Sequence, residues 1–216
     1  VLYDKNADPE YRMDDNERVV AARMLADLAI LYPEKRDEIR AQAYEGVRFW
    51  ITDKPQPHAN GLRFMAAVDA REALPMMRKW ANPTVPLPKE GQQEFPPVWA
   101  TAQSALRYIG WMKDQQSWGI LESQLRRRPE KVDATMESLL QGGLAVLGMT
   151  LRAIGVGASY GFAQWGDPKA YPLLVKYIED KQNNEQSRLD ACFSLAWVAT
   201  DEQMKEVARK VKELDN

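Results

Sequence analysis

Eight residues of this chain occur twice in nearly the same order. Ala73-Leu74-Pro75-Met76-Met77-Arg78-Lys79-Trp80 returns as Ala170-Tyr171-Pro172-Leu173-Leu174-Val175-Lys176-Tyr177. Each copy runs from an alanine through a proline and two bulky apolar residues to a lysine and an aromatic ring. Each also follows an acidic or Gly/Asp turn, at Asp69 and at Gly166-Asp167. A repeat of this kind constrains the fold strongly. The repeated unit is a helical pair that cannot bury its apolar face alone, so it has to stack on a neighbour.

The rest of the chain agrees with that reading, because its apolar residues recur at three- and four-residue spacing, the helix period. Val19, Val20, Met24, Leu25, Leu28 and Leu31 form one such stripe, expected to face a core, which starts after Asp14-Asp15-Asn16 and stops near Pro33. Ile39, Ala43, Val47, Phe49 and Trp50 continue it in a second helix ending near Thr52. Further pairs are expected over 60–68 and 70–80, over 98–112 and 114–127, over 158–165 and 168–180, and over 186–198 and 202–214. An inserted helix is expected at about 131–154. Aligning the turns makes Tyr32, Asp69, Lys113, Gly166 and Thr200 equivalent, at successive spacings of 37, 44, 53 and 34 residues. In this register Met76, Ile120, Leu173 and Val207 should face the core. One Pro-rich loop, 81–97, interrupts the array with Pro83, Pro86, Pro88, Pro96 and Pro97. Proline removes a backbone donor and restricts the preceding residue, which bars a helix there.

The segment Phe162-Ala163-Gln164-Trp165-Gly166-Asp167-Pro168-Lys169-Ala170-Tyr171-Pro172-Leu173-Leu174 resembles a HEAT repeat, in particular the short HEAT-like repeats of phycobilin-lyase type. The resemblance extends over 159–211 and, with fewer matching positions, over 63–80 and 102–125. It implies an all-α fold, an α-solenoid of about five HEAT-like antiparallel helical hairpins forming one domain over 1–216. First helices would lie on its convex side and second helices along a concave surface. Proteins with such repeats serve as adaptors, lyase subunits, nucleic-acid enzymes and assembly scaffolds, so the resemblance informs fold more than role.

Composition narrows the role. With 29 Lys and Arg against 31 Asp and Glu, the net charge of −2 supplies no bulk attraction to nucleic acid or to an anionic membrane. Cys192 is the sole cysteine, which excludes an intrachain disulfide and a Cys-based zinc site. That content suits a reducing compartment and favours the cytoplasm, with a cysteine-poor exported protein as the other option. The opening Val1-Leu2-Tyr3-Asp4, without Met, points to a processed product. Residues 139–166 hold seven of the twelve glycines and a single charge, Arg152. Gln141, Thr150 and Ser159 break the apolar run, and glycine weakens a lone helix by about 1 kcal/mol relative to alanine. Two tightly packed helices, with glycines where backbones approach, are expected there in place of a membrane span.

No set of residues in the sequence reads as a catalytic or metal site. His58, the only histidine, lies in Lys54-Pro55-Gln56-Pro57-His58 without metal-ligand spacing and is expected to be an exposed loop residue. Cys192 occupies a small-residue position of a first helix and reads as an inert buried thiol. Gly155-Val156-Gly157-Ala158-Ser159-Tyr160-Gly161 lacks phosphate-loop spacing and any preceding strand. Most tryptophans sit beside turns, where an indole can seal a joint between hairpins. The expected function is therefore a non-catalytic scaffold or adaptor with no cofactor and no metal, binding another, acidic protein through its concave helices and Pro-rich loop. Phe95 and Trp99 are the expected aromatic anchors, and Arg78, Lys79 and Arg126 the charged contacts. The alternatives are a chromophore- or ligand-binding lyase-like enzyme, which the resemblance implies, and a nucleic-acid-binding protein, which the charge balance disfavours.

Overall fold

The computed structural model describes residues 15–52, 57–83, 98–127 and 141–214. The described residues form ten α-helices and no strand. They are α1 (Asp15–Leu31), α2 (Arg36–Thr52), α3 (Ala59–Ala67), α4 (Leu74–Ala81), α5 (Val98–Trp111), α6 (Trp118–Leu125), α7 (Gln141–Trp165), α8 (Tyr171–Glu179), α9 (Glu185–Leu195) and α10 (Asp201–Leu214). The chain divides into two compact units, Val1–Met77 and Arg78–Asn216.

Three of the turns repeat one backbone design. Asp69, Lys113 and Gly166 all take positive φ, at 50°, 49° and 69°. One further residue follows each, then a 3-10 turn, Arg71–Ala73, Gln115–Ser117 or Pro168–Ala170, that runs into α4, α6 or α8. At the first two the helix closes with paired bonds: Ala70 N to Met65 O (2.8 Å) and Asp69 N to Ala66 O (3.1 Å), then Asp114 N to Ile109 O (3.3 Å) and Lys113 N to Gly110 O (3.0 Å). This double closure satisfies carbonyls that a helix end leaves open. Glycine enters the left-handed region without strain at Gly166, whereas Lys113 has a Cβ to accommodate.

The two outer turns correct the expected alignment by one residue. Tyr32 heads the 3-10 turn Pro33–Lys35, so its structural equivalents are Ala70, Asp114 and Asp167. Thr200 heads α10 directly. Its N–H donates to the Gln203 side chain (2.8 Å) and its hydroxyl accepts from Gln203 N (3.4 Å), a reciprocal capping box.

Packing within each unit follows one rule: the first helix of a pair rests on both helices of the pair before it. In the first unit α3 packs on α1 and α2. In the second, α7 packs on α5 and α6, and α9 on α7 and α8. Between turns the buried positions fall into columns. Met65, Ile109 and Phe162 are buried four residues before the left-handed residue, and Met77, Leu121 and Leu174 are fully buried eight residues after it. The expected register was thus one residue early on three second helices. Met76, Ile120 and Leu173 are only half-buried, and of the four expected core positions Val207 alone is buried. A one-residue step turns a helix by about 100°, enough to exchange a core residue for a groove residue. Leu174→Ala should therefore lower stability by about 2–5 kcal/mol, and Leu173→Ala by well under half as much, in urea unfolding of both variants.

Two other expectations change. The expected inserted helix and the first helix after it are one continuous helix, α7, running through Gly155, Gly157 and Gly161. Tertiary contact outweighs the weak propensity of glycine here, because α5, α6 and α9 all pack on α7. Residues 128–140 lie outside the described residues. On α1 the buried face is Ala22, Ala26 and Ala29, whereas Val20, Met24, Leu28 and Leu31 are exposed. Small side chains let α1 approach α3 closely, and the large ones point away. Among the described residues no helix is long and apolar enough to cross a membrane.

Ion pairs recur at a repeated position within the units. Arg40, eight residues past Tyr32, reaches Glu72 (2.6 Å), and Arg78, eight past Ala70, reaches Asp114 (2.6 Å). Beside the first of these, burial and the Glu72 carboxylate push the Tyr44 pKa up to about 12.

Candidate functional site

The site is built from the second helices of the second unit. Asp114 occupies the head of the 3-10 turn before α6, where its carboxylate is buried. Arg78 grips it with two bonds, Nε to Oδ2 at 2.6 Å and Nη2 to Oδ1 at 2.8 Å, and the Ser117 hydroxyl donates to Oδ2. Burial alone would raise the Asp114 pKa, but the bonds from Arg78 and Ser117 outweigh it and hold the carboxyl below its ordinary value. Arg78, expected to meet a partner, is committed to this internal pair. A second clasp follows at the end of α4. Gln124 Nε2 donates to Asn82 Oδ1 (2.7 Å), while Arg127 Nη1 donates to Pro83 O (2.9 Å) and to Gln124 Oε1 (3.0 Å). The first residues of the Pro-rich segment are thereby tied to the C-terminal end of α6.

Beyond that clasp a groove of about 210 Å³ opens between α6 and α8, lined by Leu125, Arg126, Leu173, Lys176, Tyr177 and Asp180. Leu173 belongs to this groove because its neighbour Leu174 takes the core position. Arg126, the residue after α6, is held by Glu122 across one helical turn (2.6 Å) and remains mostly exposed. It stands at a helix C-terminus, where the dipole favours a cation. The far wall is held by side chains that cap the end of α8: Asn183 Nδ2 donates to Tyr177 O (2.6 Å) and Arg188 Nε to Ile178 O (2.6 Å). The lining brings Leu125 and Leu173 together with two cations, Arg126 and Lys176, and one acid, Asp180.

Of the residues expected to meet a partner, Arg126 lines this groove, and Lys79 is exposed one residue past Arg78. Trp99 is in the first turn of α5, with its side chain outside the described residues; Phe95 lies outside them entirely.

His58 is exposed and caps α3, its Nδ1 accepting from Asn60 N (3.2 Å), which sequence spacing did not reveal. Partial burial lowers its pKa. Cys192 is buried, and that burial raises its thiol pKa against the opposing charge of Arg188. Trp118 meets Phe162 and Trp165 edge-on, with ring centroids 4.9 and 5.1 Å away, and so seals the joint between α6 and α7. Gly155 to Gly161 lie inside α7 and form no loop. Among the described residues no cluster of three or more His, Cys, Asp or Glu side chains is placed to hold a metal. Trp197, one of the tryptophans beside a turn, is about seven-tenths exposed just past α9 and is not buried in a joint. Phe193 within α9 is equally exposed, which sequence reasoning did not single out.

The chain matches no protein-family model, and no curated protein or solved structure is significantly similar to it.

Proposed function

We propose that this chain is a non-catalytic protein-binding scaffold of stacked HEAT-like hairpins. Its second helices would seat an acidic segment of a partner protein over the groove between α6 and α8. The observation that carries this reading is the groove itself, whose lining includes Leu125 and Leu173 together with the cations Arg126 and Lys176. It spans two successive second helices, the surface on which a stacked array presents its repeating side chains. The repeated left-handed turn followed by a 3-10 turn supports the hairpin reading. The two side chains best suited to nucleophilic or acid-base work are otherwise engaged: His58 Nδ1 caps a helix, and burial pushes the Cys192 thiol pKa up, away from the reactive thiolate.

Crosslinking mass spectrometry on the chain purified from its native cells tests this directly. Crosslinks from the partner should concentrate on Lys176 and Lys79, and the crosslinked partner peptides should be rich in Asp and Glu. With the partner in hand, Arg126→Glu/Lys176→Glu should weaken binding by roughly tenfold or more, while His58→Ala and Cys192→Ala leave it unchanged. Undiminished binding by the charge-reversed protein would remove the groove from the interface. Lost binding in either single variant, with helicity intact, would argue against a scaffold.

A further inference from the structure

Along the second unit one packing step is made twice, and the surface for a third lies open. Where α7 crosses α5, a Cβ at Gly161 would fall 2.6 Å from the Leu106 carbonyl oxygen, and one at Gly110 would overlap Gly161. Where α9 crosses α7, the Ser194 hydroxyl donates to that of Ser159 at 3.3 Å. Counted back from the turn residues Asp114, Asp167 and Thr200, the two crossings match. Each incoming helix sets a small residue six before its turn, Gly161 or Ser194, on the residue eight before the turn of the standing helix, Leu106 or Ser159. Positions seven before the turn meet as well, since the Arg107 guanidinium lies over the Tyr160 ring at 5.9 Å. On the standing helices Leu106, Gly110, Ser159 and Ala163 are all buried.

On α9 the corresponding positions are Cys192, Phe193 and Ala196. α7, α8 and α10 pack on α9 and leave this side uncovered. Ala196 caps the helix with helical angles (φ −57°, ψ −21°), and it is exposed where Gly110 and Ala163 are buried. Phe193 is 70 % exposed and Trp197, just past the cap, 72 %.

We propose that this side of α9 seats an amphipathic helix of a partner protein, with a glycine, alanine or serine at the crossing and an arginine or aromatic residue directly before it. The two steps already made set that chemistry. Cys192 and Ala196 form a shallow seat, which only a small residue lets a second backbone approach. Phe193 offers its ring to the preceding residue, as Tyr160 does to Arg107. Both incoming helices of this chain carry such a pair, Tyr160-Gly161 and Phe193-Ser194. A second copy does not supply it through α1, whose open side carries Val20, Met24 and Leu28 and whose alanines are turned inward.

A helix-stapled, fluorescein-labelled peptide of residues 184–199 carrying Cys192→Ser is the probe. The intact chain already covers α7 and α8 with its own α9, so the peptide has only the open side of α9 to copy that contact on. In fluorescence anisotropy it should bind the full chain saturably in the micromolar range. Ala196→Leu in the chain, or Ser194→Leu in the peptide, should weaken binding by roughly tenfold or more, because either fills the crossing. Phe193→Ala/Trp197→Ala in the chain should weaken it similarly, with helical circular dichroism unchanged, since both side chains face solvent. Arg126→Glu/Lys176→Glu should leave it unaltered, which separates this surface from the groove. A peptide that does not saturate, or that binds the Ala196→Leu chain as well as the native one, overturns the proposal. So does sedimentation of the chain alone as a dimer that Ala196→Leu dissolves, which would make the occupant a second copy.

Discussion

Gly110→Ala should unfold this protein more readily than alanine at Gly119, Gly155, Gly157 or Gly161. A Cβ at Gly110 would overlap the carbonyl oxygen of Gly161, and one at Gly157 would lie 2.7 Å from the Gln103 Cα. In both cases backbone meets backbone where α5 crosses α7, so no flexible side chain can move aside. Overpacking of a tight core generally costs about 1–3 kcal/mol, and a backbone clash belongs at or above the top of that range. The expected result is a loss of about 3 kcal/mol or more in urea unfolding, with a clear fall in the thermal midpoint. Gly119→Ala is the matched control. It lies in α6 with nothing near its would-be Cβ, and should stabilise by up to about 1 kcal/mol through helix propensity. Equal destabilisation by both substitutions would mean that α5 and α7 do not cross at this distance.

Removing the buried carboxylate of Asp114 should have the second large effect. Asp114→Ala leaves the half-buried Arg78 guanidinium without its partner, and Arg78→Ala strands the carboxylate. Breaking a buried pair from one side generally costs about 3–5 kcal/mol. The pair also predicts a pH dependence with a definite sign. The carboxyl is held below its unfolded value, which is about 3.9. Its contribution is therefore complete above the unfolded pKa and is lost as pH falls through the folded one. Urea midpoints measured from neutral pH down to about pH 3 should fall more steeply for the native chain than for Asp114→Asn, which has no proton to gain there. Parallel curves for the two would show that the carboxylate is not held by Arg78 in the folded protein.

Much of the fold was legible in the residues, for a local reason. A helix and its end are decided by groups within about four residues of one another: the three- and four-residue apolar period, the prolines at Pro168 and Pro172, and the glycine at Gly166. Those cues place the helices, and they locate the three matching turns at Asp69, Lys113 and Gly166, where the backbone does enter the left-handed region. They also explain why glycines crowd Gly155 to Gly161, where α7 meets its neighbours. The candidate site was only partly legible. Arg126 lines the groove, whereas Arg78 is taken by a carboxylate 36 residues away, a pairing that no local pattern reports.

By itself, then, the sequence determined an all-helical fold class and the turns at Asp69, Lys113 and Gly166. Tertiary structure alone decided which face of each helix is buried. Helical period marks an apolar stripe, but adjacent positions such as Leu173 and Leu174 both satisfy it. The shape and distance of the neighbouring helix choose between them, putting Leu174 in the core and Leu173 in the groove. The same choice on α1 buries alanines and turns valine, methionine and leucine outward, because close approach to α3 requires small side chains. The groove of this protein arises from that non-local selection among residues the sequence treats alike.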